Sequence, residues 1–164
     1  MTPVRAVTTF GGVGLLRPAP GTWGSAAALA LGLVVLRTAG FPALVLLAAL
    51  AALGGMAAIR ADLAGRGGDR DPPDIVIDEV AGQWVALCFP AAAFWWRGID
   101  IVWPGWVAAF LLFRLFDIWK PWLVGRADRR GDAAGVMLDD LWAGLFAGIA
   151  AWIAAALAHG VLLR

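Results

Sequence analysis

Two pairs of adjacent carboxylates, Asp78-Glu79 and Asp139-Asp140, each stand beside an apolar run in a chain that is otherwise poor in charge. A third group, Arg114, Asp117 and Lys120, recurs every three residues, which keeps it within about 120° of one helix face before Pro121 ends or kinks that helix. Adjacent carboxylates repel each other and are costly to desolvate at a membrane boundary unless a cation sits beside them. Carboxylate-rich coordination without Cys or His suits a hard divalent cation such as Mg²⁺, held by one or two carboxylates together with water and a substrate phosphate. Five carboxylates, Asp78, Glu79, Asp117, Asp139 and Asp140, are expected to converge on such an ion, the two adjacent pairs supplying its ligands directly or through water. Neighbours on a helix point about 100° apart, so one acid of each pair is expected to face the ion. The plainer account, an acidic first turn complementing the helix dipole, has to explain the same coincidence twice.

A fourth stretch, Pro20-Gly-Thr-Trp-Gly-Ser25, leads into an apolar helix. Its Pro and Gly residues predict a turn, and Thr22 or Ser25 is expected to cap the helix and present hydroxyl and N–H groups to an anion. The single histidine, His159, is expected near the opposite face and Cys88 lies in an apolar run, so neither joins this chemistry.

The elements that must carry these groups are membrane helices. Hydrophobic residues make up 62% of the 164, charged residues 15%, and the mean hydropathy is +0.80. A soluble domain of this size could not hide so much apolar surface. The basic residues are dispersed singly with no stacking platform, which argues against nucleic acid, and the first residues lack a secretory h-region. Five apolar segments without strand-like alternation, at about 23–36, 41–61, 79–96, 101–116 and 139–162, predict an all-α bundle forming one domain over 1–164. The first segment is marginal in length and is expected to be tilted or partly re-entrant. Five spans place the three charge-rich connections on one face, and the excess of Arg and Lys there makes that face, with the N-terminus, cytoplasmic. Asp140, Gly144 and Gly148 form a small-residue stripe for close helix approach, either inside the bundle or between subunits of a homo-oligomer.

The series PGTWGS at 20–25, IVIDEVAG at 75–82, FRLFDIWKPW at 113–122 and GVMLDDLWAG at 135–144 resembles the phosphatidylglycerophosphatase A family in order and spacing. The resemblance implies a Mg²⁺-dependent lipid phosphatase of the bacterial inner membrane that converts phosphatidylglycerophosphate to phosphatidylglycerol. It carries over Thr22, Ser25, Asp78, Glu79, Arg114, Asp117, Lys120, Asp139 and Asp140. The chain departs from the family pattern at Leu123, where a Pro often follows Lys-Pro-Trp, and at Ala133-Ala134, where a Gly pair often stands.

On this reading Arg114 and Lys120 neutralise the phosphate, and Thr22 and Ser25 orient it. Asp117 fits three roles: metal ligand, general base, or nucleophile. Two other classes are a small Mg²⁺- or proton-coupled transporter, which predicts polar residues continuing across the membrane, and a non-catalytic scaffold anchored by the ten Trp residues.

Overall fold

The computed structural model describes residues 1–67, 72–98 and 103–162, and among these the regular structure is entirely helical. Asp69, Arg70 and Asp71 of one charge-rich connection, together with Asp100 and Arg164, lie outside the described residues. Seven α-helices follow in order: α1 Pro3–Thr8, α2 Pro20–Thr38, α3 Gly40–Ala64, α4 Ile77–Trp95, α5 Gly105–Trp119, α6 Leu123–Asp128 and α7 Ala133–Leu162, with a 3-10 turn at Val13–Leu15.

Three of them, α2, α3 and Ala133–Ala155 of α7, are long and apolar enough to cross a membrane. The first apolar segment is thus a helix of 19 residues rather than a short one, because Pro20 starts it three residues early and Thr38 extends it. Thr38 Oγ1 donates back to the Val34 carbonyl at 2.9 Å, and Gly40, at φ +79°, turns the chain directly into α3. At 15 residues α5 is about 22 Å long, less than the hydrocarbon core of a bilayer. Pro121 follows its end, as expected, with Lys120 in the left-handed conformation at φ +52°.

The core is organised around α4, which packs against α2, α3, α5 and α7. Its buried residues run around the helix (Val80, Ala81, Trp84, Ala86, Leu87 and Ala91 among them), the pattern of a helix enclosed by others. Trp84 Nε1 donates to the Ala28 carbonyl of α2 at 2.7 Å, satisfying an indole deep in apolar surroundings. Small residues set the spacing with α7. A Cβ on Gly82 would lie 2.5 Å from the Asp140 carbonyl oxygen, and one on Gly148 would collide with the Phe89 ring. The small-residue stripe of α7 therefore works inside the bundle. Outward faces are apolar, with Leu46, Leu50, Leu53, Leu111, Ile118 and Trp152 exposed, the surface a bilayer would cover.

Polar side chains gather at one end of the bundle. There Asp74 accepts from Arg5 at 2.5 Å and from Arg66 at 2.8 Å, Arg66 pairs with Asp62 at 2.6 Å, and Thr8 donates to Asp62 at 3.2 Å. This network ties α1, α3 and the α3–α4 connection together. The Arg66 hydrogen bond holds the Asp74 carboxyl below its ordinary range, against the opposing effect of burial.

Candidate active site

A cavity of about 410 Å³ opens where the first turns of α2 and α4, the last turns of α5 and the second turn of α7 meet. Thr22, Asp78, Glu79, Arg114, Asp117, Lys120, Asp139 and Asp140 all line it. Ser25 does not. It is fully buried, donates to the Gly21 carbonyl at 2.8 Å and accepts from Arg114 Nη1 at 3.3 Å, so it holds the guanidinium in place. Neither Thr22 nor Ser25 caps α2: the helix begins at Pro20 after Ala19 with no side-chain cap. The N–H groups of Gly21 and Thr22 stand in its first turn, where an α-helix supplies no acceptor.

Asp78, Glu79 and Asp140 present carboxylate oxygens that all lie within 4.8 Å of one another. To this cluster the 139/140 pair contributes Asp140 alone, whereas the 78/79 pair contributes both acids. Residues about 100° apart can share a site when the cavity wraps around their helix, and here it does. On one side of α4 the α7 backbone touches Gly82; on the other, α2 passes so closely that a Cβ on Gly21 would fall on Glu79 Oε1. Asp139 turns away from this cluster, and its Oδ2 receives Lys120 Nζ at 2.9 Å. Nor do the paired acids open α7. That helix starts at Ala133, where Asp132 Oδ1 accepts from the Gly135 N–H at 2.7 Å, leaving Asp139 and Asp140 buried in its second turn.

The charge balance of the cavity bears on what it can hold. Among the described residues, six carboxylates (Asp78, Glu79, Asp117, Asp128, Asp139 and Asp140) line it against two cations, Arg114 and Lys120. Each cation is already engaged: Arg114 Nη1 with Asp117 at 2.5 Å, Lys120 with Asp128 and Asp139. Burial draws the Lys120 pKa down, but its hydrogen bonds to Asp128 and Asp139 outweigh this and raise it. A phosphate dianion entering such a cavity alone meets net repulsion, which a divalent cation would offset. Glu79 Oε2 and Asp140 Oδ1 are buried without hydrogen-bond partners among the described residues. Buried carboxylate oxygens require a donor or a cation, and an oxygen cluster of this make-up fits a hard metal ion.

The family model described as phosphatidylglycerophosphatase A matches residues 6–155. The chain belongs to that family. It is 34% identical over 149 residues to phosphatidylglycerophosphatase A of Haemophilus influenzae, an alignment covering 90% of this chain and 85% of that protein. It is 38% identical over 80 residues to phosphatidylglycerophosphatase A of Escherichia coli (48% of this chain, 41% of that one). A putative phosphatidylinositol-3-phosphatase of Bacteroides thetaiotaomicron is 35% identical over 88 residues, 51% of each chain. No solved structure matches.

Several residues in and around this cavity escaped the reading of the sequence. Gly21 was expected to shape a turn, yet it sits inside α2 and makes room for the Glu79 carboxylate. Asp128, at the end of α6, lines the cavity and pairs with Lys120; it stands in a dispersed run of charge that shows no periodicity. Gln83 is fully buried one turn beyond Glu79, and neither of its amide atoms has a partner among the described residues. A lone polar residue on an otherwise apolar stretch was the available signal. Beside the departure at Ala133-Ala134 the chain keeps Gly135, where a Cβ would lie 2.8 Å from the Ala127 carbonyl of α6.

Proposed function

We propose that this membrane protein hydrolyses the terminal phosphomonoester of phosphatidylglycerophosphate, releasing phosphatidylglycerol and inorganic phosphate, with Mg²⁺ as its cofactor and the cytoplasmic face of the bacterial inner membrane as its location. The observation that carries the reading is the convergence of the Asp78, Glu79 and Asp140 oxygens with Arg114 and Lys120 on one cavity at the charged end of an apolar bundle. Family membership supplies the substrate.

Asp78, Glu79 and Asp140 would hold the metal ion, and when bound it would supply positive charge for the transferring phosphoryl group. Arg114 and Lys120 bind the phosphate oxygens from the α5 side. Gly21 and Thr22 line the same cavity at the start of α2, and the N–H groups of that first turn would orient the anion. These groups are fixed before substrate arrives, so their electrostatic stabilisation costs little reorganisation during the reaction. Asp117 lies outside the three-carboxylate cluster and is held by Arg114. It is the carboxylate that takes the proton from the water attacking phosphorus and returns it to the glycerol oxygen as the ester P–O bond breaks.

The test is phosphate release from phosphatidylglycerophosphate by purified protein, with phosphatidate as the comparison lipid. Activity with Mg²⁺, its loss in EDTA and a fall of about 10²-fold or more in Asp140→Asn are expected. A wild-type protein inert on both lipids sinks the reading. A rate indifferent to both EDTA and the substitution sinks the metal assignment.

A further inference from the structure

We propose that Asp128 is a positioning residue for this reaction: it orients the Lys120 ammonium so that one of its N–H groups points into the cavity for the substrate phosphate. The inference rests on the phosphatase reading above and adds a role for α6, which that reading leaves without one.

Lysine carries a point charge on a flexible four-carbon stem, and an unrestrained lysine at a cavity mouth is spread over many rotamers. Here both ends of the side chain are fixed. At the backbone, Lys120 is in the left-handed conformation and Trp122 follows at φ +43°, while Gly125 lies so close beneath that a Cβ on it would sit 2.5 Å from the Lys120 carbonyl oxygen. At the tip, the ammonium is gripped between Asp139 of α7 and Asp128 of α6. An ammonium has three N–H donors. Two go to these carboxylates, which leaves one for a ligand in the cavity that all three residues line.

The two carboxylates differ in what else they do. Asp139 is buried and its Oδ1 also accepts from the Asp140 N–H at 3.0 Å, so it is built into α7. Asp128 has a side chain 37% exposed and makes no side-chain bond other than that to Lys120 among the described residues. Its position comes from α6, whose approach to α7 is set by Gly135 against the Ala127 carbonyl. A six-residue helix thus delivers one carboxylate to one ammonium.

The experiment combines a double-mutant cycle with a spectroscopic readout. Asp128→Asn is expected to lower kcat/KM for phosphatidylglycerophosphate about tenfold, an effect of orientation rather than of lost chemistry. Asp128→Glu should recover part of the loss. Adding Asp128→Asn to Lys120→Met should cost nothing further, since two residues acting through one contact are not additive. Wild-type kcat/KM in Asp128→Asn, or losses that multiply in the double variant, would overturn the proposal. Lys120 is the only lysine in the chain, so ε-¹³C-lysine labelling yields one side-chain NMR signal, independent of turnover. That signal is expected to move in Asp128→Asn; if it coincides with the wild type, the proposal fails. An inactive wild type would defeat the phosphatase reading, and the NMR comparison would still decide the contact.

Discussion

Gly82 and Gly144 place the backbones of α4 and α7 in direct contact: a Cβ on Gly144 would collide with the Gly82 carbonyl oxygen. Because Asp78 stands one turn before Gly82 and Asp140 one turn before Gly144, the same contact sets the distance between two carboxylates of the cluster. Fold and site share this one constraint.

Enlarging either glycine should therefore cost both stability and activity. Overpacking a well-packed contact costs about 1–3 kcal/mol, and the obstacle here is main chain, which cannot rotate away. Gly144→Ala is expected to lower the thermal midpoint in detergent and to reduce phosphate release more than in proportion to the folded fraction.

Gly21 predicts a different split between the two quantities. Alanine is favoured over glycine within a helix by about 0.8–1 kcal/mol, and the atom it would meet is the end of the flexible Glu79 side chain. Gly21→Ala should leave the thermal midpoint unchanged or raised, while the Mg²⁺ concentration for half-maximal activity rises, checked by metal titration of the purified variant.

Gln83 buries a full amide without a partner among the described residues. Removing an unsatisfied buried polar group relieves about 1–3 kcal/mol of desolvation cost. Gln83→Leu is expected to raise the thermal midpoint; a fall would show that the amide is bridged by a buried water.

The Arg5–Asp74–Arg66 network sets an acid limit. Asp74 has a folded pKa held down first by its hydrogen bond from Arg66. Its contribution to stability is fully present above the unfolded carboxyl value of about 4 and is lost as pH falls through the folded value. The part of the thermal midpoint that Asp74 supplies should hold down to about pH 4 and decline below it. In Asp74→Asn that decline should be shallower, measured across a pH series in one detergent.

Much of this was legible in the residues themselves. Apolar runs interrupted by turns specify helices in a membrane solvent, since only closed hydrogen bonding survives there. Acidic pairs stand out against such runs because burying charge is costly, so Asp78, Glu79, Asp139, Asp140 and the Arg114–Asp117–Lys120 series were visible before any coordinates. What one dimension does not encode is how the helix ends face one another. Whether an acid meets the cluster or a lysine depends on which neighbour lies against that side of its helix, and this separated Asp140 from Asp139 while keeping Asp78 with Glu79. The same holds for Gly21 and Asp128, whose partners lie on other elements: a glycine's value is the space it leaves for another chain segment, and an aspartate's is the cation that packing brings to it.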